Sequence, residues 1–162
     1  MSLRHVFSDL VRLETAMWNA IDARLRKEAG VPLGTFSVLL IVEAVADCYV
    51  KDIAEQLPMT VGGASQAVDR IVAKGLCARK AEATDRRVSI VELTPLGKKT
   101  VAIGGPVFDD ELQHWLGNSD GNRLTEFAKT LSALRASAGT RDPAQAPECS
   151  FFERSNGKKS KG

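Results

Sequence analysis

A short run of polar residues has the types and spacing that suit hydrogen bonding to the edges of DNA bases. Ser65 and Gln66 stand on the polar side of an amphipathic segment that begins after Thr60, and Arg70 follows about one turn later. A glutamine can form two hydrogen bonds with an adenine edge, whereas an arginine further along can bind a phosphate. Such a segment could read the major groove. The alternative is an ordinary solvated helix face.

Two glycines, Gly62 and Gly63, occupy the first turn of the same segment. Glycine lowers helix stability by up to roughly 1 kcal/mol in a helix interior and by less near its end. A backbone without side chains can, however, approach a phosphate closely. We therefore predict that Thr60, Gly62 and Gly63 belong to the same DNA-contacting surface.

A second candidate group, Asp85, Arg86 and Arg87, lies in a polar connection between two β-rich segments. Those segments, Cys77 to Lys80 and Val88 to Leu93, are predicted to pair as strands. An arginine at the tip of such a ribbon can enter a narrow minor groove, where negative potential attracts guanidinium groups. We favour Arg86 for that insertion. The alternative is an exposed, charged hairpin tip.

Helix start and stop signals mark the elements that must position these groups. Thr60 can cap a helix, and Gly75 suits the left-handed residue that commonly ends one. Thr94 followed by Pro95 marks the start of a further long helix. The helix after Thr60 should bury one apolar face, formed by Val61, Ala64, Val68, Ile71 and Val72.

The rest of the chain is predicted to be mainly helical. An amphipathic helix should run from about residue 3 to 29, a more buried one over 33–46 and a short one over 52–57. The short helix and the one after Thr60 would form a helix-turn-helix. Beyond Pro95 we expect a helix to about residue 117, which Pro106 should kink or break, and a last helix to about residue 138. The tail, 139–162, has a composition typical of disorder.

Three segments resemble the MarR family of winged helix-turn-helix transcriptional regulators: VKDIAEQL, GGASQAVDRIVAKGL and TDRRVSIVELTPLG. They cover about the middle third of the chain. The family's wing pattern, an Asp-x-Arg ahead of a Leu-Thr and a Gly, is matched by Asp85, Arg87, Leu93, Thr94 and Gly97. The resemblance also implies that Asp85 braces one of the two wing arginines.

The resemblance implies a mainly α (α+β) fold with one domain over residues 1–138. Helices of about 1–30 and 95–138 would pair two chains into a homodimer, and the winged helix would cover about 33–94. It also implies a cleft for a small aromatic or phenolic effector. Candidates to line that cleft are Trp18, Phe36, Tyr49, His114 and Trp115, although for each of them we favour ordinary core or dimer packing.

Composition limits the other classes of function. The chain has 162 residues, 44% of them hydrophobic and 26% charged, with a net charge of only +2, so any field that attracts DNA must come from local clustering. No apolar run approaches the roughly 18–20 residues of a membrane span, and the N-terminus does not read as a secretory signal. We therefore expect a cytoplasmic protein with no membrane partner.

This sequence contains no motif that is typical of an enzymatic or a metal-dependent function. It has no G-x-S-x-G elbow, no phosphate loop of the Walker type and no paired metal ligands, so we expect neither catalysis, nor a metal, nor a cofactor. The chain is predicted to be a DNA-binding, ligand-responsive repressor that acts as a homodimer. The alternatives are a thiol-based redox sensor using Cys48, Cys77 or Cys149, and a winged-helix module that binds proteins without reading DNA.

Overall fold

The computed structural model describes residues 2–57, 59–81, 89–117 and 120–138. Within these residues no helix is both long enough and apolar enough to span a membrane. The described elements are α1 (Leu3–Glu28), α2 (Leu33–Ala44), α3 (Val50–Gln56), α4 (Val61–Ala73), β1 (Cys77–Ala81), β2 (Ser89–Leu93), α5 (Pro95–Leu116) and α6 (Gly121–Ala138). The predicted mainly helical winged-helix fold is thus confirmed.

The chain divides into two compact units, residues 1–109 and 110–162. The first contains α1 to α4, both strands and most of α5, whereas the described part of the second contains the end of α5 and α6. The single domain over residues 1–138 stays a prediction.

Helix α2 lies at the centre of the first unit. Eight of its 12 residues are buried, and it contacts α1, α3, α4 and β2. A helix that is apolar on nearly all sides must be covered on all sides, which explains why the other elements surround it. Phe36 and Leu39 of α2 are fully buried together with Leu25 of α1, Ile53 of α3 and Val68 of α4.

The joint between α1 and α2 is held by one carboxylate. Asp22 accepts a hydrogen bond from the backbone N–H of Leu33 at 2.7 Å and another from Nε of Arg26 at 2.6 Å. Gly30 takes the left-handed conformation, with φ of 72°, that ends α1. The first backbone N–H of α2 is therefore satisfied by a side chain of the preceding helix.

The caps predicted for α4 are present. Oγ1 of Thr60 accepts a hydrogen bond from the N–H of Gly63 at 3.1 Å, and Gly75 follows the helix with a φ of 72°. Helix α3 begins at Val50, two residues before the predicted Asp52, because the Asp52 carboxylate accepts a bond from the N–H of Tyr49 at 2.8 Å. That bond stabilises an earlier start.

The two strands form an antiparallel ribbon in which Cys77 pairs with Leu93 and Ala81 with Ser89. The ribbon is fixed to the core because the carbonyl of Cys48 accepts a hydrogen bond from the N–H of Val91 at 2.8 Å. The predicted strand segments are confirmed, apart from Val88, which lies outside the described residues.

The junction between β2 and α5 is built around Thr94. Its hydroxyl donates to the carbonyl of Gly75 at 2.6 Å, and its Oγ1 accepts from the N–H of Gly97 at 3.0 Å. A Cβ at Gly97 would collide with the carbonyl of Leu76, so this position requires glycine. The end of α4, the ribbon and the start of α5 are thereby joined.

Helix α5 continues through Pro106 instead of breaking there. The proline removes one backbone hydrogen bond, but the residues around it pack into the core. Gly104 lies against the ring of Phe36, Phe108 places its ring centroid 5.8 Å from that of Phe36, and Val107 is 7% exposed. Packing of this face holds the helix together where local sequence predicted a kink or a break.

Helix α6 begins at Gly121. Oδ1 of Asp120 accepts a hydrogen bond from the N–H of Asn122 at 3.1 Å, which caps the helix. Three of its apolar side chains, Phe127, Leu131 and Leu134, are exposed at helical spacing. The predicted disordered tail, 139–162, lies outside the described residues.

Adjacent glycines in α5 give a matched test of the Phe36 contact. A Cβ at Gly104 would overlap the Phe36 ring, whereas a Cβ at Gly105 meets nothing within 4 Å. Gly104→Ala should destabilise the protein by about 1–3 kcal/mol through overpacking. Gly105→Ala should cost less than Gly104→Ala, because helix propensity favours alanine whereas the following Pro106 opposes a helical residue that has a Cβ. Urea unfolding of the two variants measures the difference, and equal midpoints would contradict this account of the core.

Candidate nucleic-acid interface

Helix α4 presents a polar face to solvent. Gly62, Gln66 and Arg70 are exposed, while Gly63 and Ser65 are half-buried. The opposite face packs into the core through four buried residues, Ala64, Ala67, Val68 and Ile71. The structure therefore places the predicted base-reading residues on one accessible side of the helix.

Val61 departs from the predicted pattern. We expected it to belong to the buried apolar face, but its side chain is 58% exposed. It is the first residue of α4, and the core against which the helix packs ends one turn later at Ala64. Periodicity alone places Val61 on the apolar face, since periodicity does not show where the core stops.

The two glycines of the first turn differ in their surroundings. A Cβ at Gly62 would meet nothing within 4 Å, whereas a Cβ at Gly63 would lie 3.2 Å from Oγ1 of Thr60. The hydroxyl of Thr60 is the helix cap, so Gly63 has a structural reason to be small. Gly62 has none within the chain.

Arg79 of β1 connects helix α4 to the ribbon. Its Nη2 donates to Oδ1 of Asp69 at 2.8 Å and to Oγ of Ser65 at 3.3 Å, both on α4. Its Nη1 donates to Oγ of Ser89 on β2 at 3.1 Å. One planar guanidinium on β1 thus bonds to both α4 and β2, for which its fixed fork of donors is suited.

The bonds of Arg79 assign different roles to the neighbouring polar residues. Ser65 accepts from Arg79 through its hydroxyl and also through its backbone carbonyl, at 3.4 Å. Ser65 therefore helps to position the ribbon as well as facing the exposed side. Sequence reasoning did not single out Arg79 as a site residue. Two features of the sequence could have pointed to Arg79: the alternation of residues along strand β1 and the acidic residue on the neighbouring helix α4.

Basic side chains are exposed on α4 and just after it, on the ribbon and at the start of α5. They are Arg70, Lys74, Lys80, Lys98 and Lys99. Lys80 is paired with Glu92 across the ribbon at 3.4 Å, an exposed pair that is weak in water. Because the net charge of the chain is only +2, attraction of a polyanion would depend on local groups of such cations.

The predicted wing residues Asp85, Arg86 and Arg87 lie outside the described residues. The strands that carry them are described up to the pair Ala81 and Ser89.

The five effector-site candidates have different environments. Phe36 is fully buried and packs on Phe108, while Trp18 and Tyr49 are half-buried in the first unit. In the second unit, the rings of His114 and Trp115 meet edge to face with centroids 6.1 Å apart, and Trp115 donates to Glu111 at 3.2 Å. For Phe36 the structure provides the core-packing role that we favoured.

The two described cysteines are buried. Burial raises the pKa of Cys48 and of Cys77 to about 11, with a smaller contribution from the nearby charges of Asp52 and Cys48 respectively. The reactive form of cysteine is the thiolate, which is scarce at neutral pH when the pKa is this high. Neither thiol therefore suits redox sensing, and Cys149 lies outside the described residues.

Metal binding has no support from the arrangement of ligands. Across the described ranges, no group of three or more His, Cys, Asp or Glu side chains is placed to hold a metal ion.

Comparison with solved structures shows the same fold in several regulators. Sco3205 from Streptomyces coelicolor, a MarR family transcriptional regulator solved in complex with DNA, has a TM-score of 0.77 at 17% identity, covering 83% of this chain and 86% of that chain. The S. aureus MepR–DNA complex has a TM-score of 0.74 at 20% identity, covering 85% and 98%. CouR from Rhodococcus jostii RHA1, bound to p-coumaroyl-CoA, has a TM-score of 0.70 at 18% identity, covering 77% and 87%.

Sequence comparison points to the same family over part of the chain. No curated protein matches the chain. Residues 29–88 match the model of the MarR family, and this segment contains α2, α3, α4, β1 and the predicted wing tip. The chain thus has the fold of solved MarR family regulators, and its segment 29–88 is similar in sequence to that family.

Proposed function

We propose that this chain is a homodimeric repressor that binds double-stranded DNA at a pseudo-palindromic operator and is released by a small molecule. The observation that carries the proposal is the exposed polar face of α4, which Arg79 holds beside the ribbon. A helix with such a face can enter the major groove while the ribbon reaches the neighbouring minor groove. The DNA complexes of Sco3205 and MepR, which have this fold, support this proposal. We expect the protein to act in the cytoplasm.

In this proposal Gln66 reads a base edge, Ser65 assists it, and Arg70 binds a phosphate. The exposed turn at Thr60, Gly62 and Gly63 approaches the DNA backbone. At the wing, Arg86 enters the minor groove, and the family resemblance implies that Asp85 braces one of the two wing arginines. Two-fold symmetry would place the reading helices on half-sites about 34–36 Å apart or at a multiple of that spacing.

Homodimer formation is supported by apolar side chains that one chain leaves exposed. On α1, Leu3 is 86% exposed and Phe7 is 68% exposed, and Leu10 continues the same stripe at spacings of four and three residues. An exposed stripe of this kind on an amphipathic helix favours a helix–helix interface. A second chain of the same sequence would cover it.

The proposed effector is a small aromatic or phenolic molecule. The CouR structure holds p-coumaroyl-CoA, an aromatic thioester, which supports a ligand of this class. Trp18, Tyr49, His114 and Trp115 are the candidate contacts that are not fully buried. Such an effector would release the DNA by binding more tightly to the form that does not fit the operator.

The DNA-binding function is tested by selecting duplexes from a random-sequence pool with the full-length protein. The selected duplex should bind more tightly than the pool, and Gln66→Ala should lose about 1–3 kcal/mol of discrimination at one base pair per half-site. Arg86→Ala should weaken binding on all duplexes and reduce the salt slope by about 1. Fluorescence anisotropy measures both variants. If no sequence is enriched, a protein-binding module becomes the better interpretation.

The effect of the hydrogen bonds of Arg79 can be tested separately from the effect of its positive charge. Arg79→Lys keeps the positive charge but replaces the fork with a single ammonium, which cannot hold Asp69, Ser65 and Ser89 together. We expect faster amide hydrogen exchange in β1 and β2, and DNA binding weakened about fivefold, equivalent to roughly 1 kcal/mol. Wild-type exchange rates in Arg79→Lys would show that the contacts do not position the ribbon.

The dimer proposal is tested by placing a charge in the exposed stripe. Phe7→Asp should leave the folded chain intact, because Phe7 is 68% exposed, but should weaken the dimer by about 2 kcal/mol or more, roughly thirtyfold. Arg12→Asp is the matched control, since helical spacing places Arg12 on the opposite side of α1. Light scattering after size exclusion gives the mass of each. A monomeric wild-type protein would overturn the proposal.

A further inference from the structure

The first turn of α4 offers one projecting apolar group. Thr60 uses its Oγ1 to accept the N–H of Gly63, and the two glycines carry no side chain. The isopropyl group of Val61, 58% exposed, is what this turn presents to a molecule in front of the helix. Between residues 61 and 70, the other apolar residues, Ala64, Ala67 and Val68, are buried.

The fold explains why position 61 is exposed, since it lies beyond the edge of the core, but it gives no reason for a valine there. Valine is a poorer helix former than alanine, and this one contributes little to the core. Gly62 beside it would admit a side chain without any contact within 4 Å, yet it has none, so the isopropyl group stays uncovered on that side. The first turn of α4 thus contains two residues, Val61 and Gly62, that are unfavourable for helix stability.

We propose that Val61 contacts the 5-methyl group of a thymine in the major groove and thereby makes the protein select a T·A pair in each half-site. This inference rests on the proposed DNA-binding function. Thymine is the unmodified base that carries a methyl group in the major groove, and apolar side chains contact it there. Gln66, exposed on the following turn, suits an adenine edge, so the two residues together favour an A·T-rich half-site.

The surroundings of Val61 favour DNA over an apolar protein partner. An apolar protein partner would need a contiguous apolar patch, whereas the exposed residues over 62–70 are Gly62, Gln66, Arg70 and Asp69, the last of which is paired with Arg79. Basic side chains, including Lys74 and Lys98, are exposed on the same unit. One apolar group within a polar and basic surface matches a methyl group within the polar, anionic groove of DNA.

The inference is tested by removing methyl groups from the DNA. In the duplex selected by the full-length wild-type protein, each thymine is replaced in turn by deoxyuridine, which pairs identically but lacks the methyl group. One position in each half-site should weaken wild-type binding about fourfold, the effect of losing one buried methyl-sized group. In Val61→Ala the same replacement should have a smaller effect, because only the Cβ methyl remains to contact the thymine. Fluorescence anisotropy gives each affinity.

Leu96→Ala is the matched control. Leu96 is also an exposed apolar residue, 51% exposed at the start of α5, and its variant should keep the wild-type response to deoxyuridine. Circular dichroism melting should show both variants folded, because both side chains are exposed. Two results would overturn the role of Val61 without overturning the proposed DNA binding. One is a wild-type protein whose affinity is unchanged by every deoxyuridine, and the other is a Val61→Ala protein that is as sensitive to deoxyuridine as the wild type. Failure to enrich any duplex would overturn the proposed function itself.

Discussion

The need to bury α2 governs the architecture of the first unit. Its sequence, LGTFSVLLIVEA, has apolar residues around most of its circumference, and eight of its 12 residues are buried. Helices α1, α3 and α4 and strand β2 all contact it. Because α4 must turn Ala64, Ala67, Val68 and Ile71 towards that core, its polar residues necessarily face away. The accessible reading surface is therefore a consequence of core packing and not a separate feature.

If α4 were positioned only by its buried face, its position relative to the ribbon could still vary. Arg79 removes that freedom, since it bonds to α4 and to β2 from its own place on β1. Thr94 has a similar effect at the other end of α4, where it joins the helix stop to the start of α5. An exposed ion pair contributes little to stability, so the larger effect of these contacts is on geometry. Reading a groove requires that kind of fixed geometry.

Local signals made much of the fold predictable from sequence. The cap at Thr60 and the stop at Gly75 depend on residues at most three or four positions away, and the structure confirms them. The features that were missed depend on distant parts of the chain. Arg79 meets Ser65 and Ser89, and Phe36 holds Gly104 although they are far apart in sequence. The exposure of Val61 also depends on where the core ends, which no local pattern records.

The limited positive charge of this surface affects how it can bind DNA. Arg79 is engaged within the protein and Lys80 is paired with Glu92, so part of the basic cluster is already neutralised. Non-specific affinity comes almost entirely from cations that replace condensed counterions, and it should be modest here. When the electrostatic contribution is weak, discrimination between DNA sequences depends more on contacts with base edges. If α4 reads the groove as proposed, its first two turns supply few side chains for this, and Val61 and Gln66 would each have a large share of the specificity.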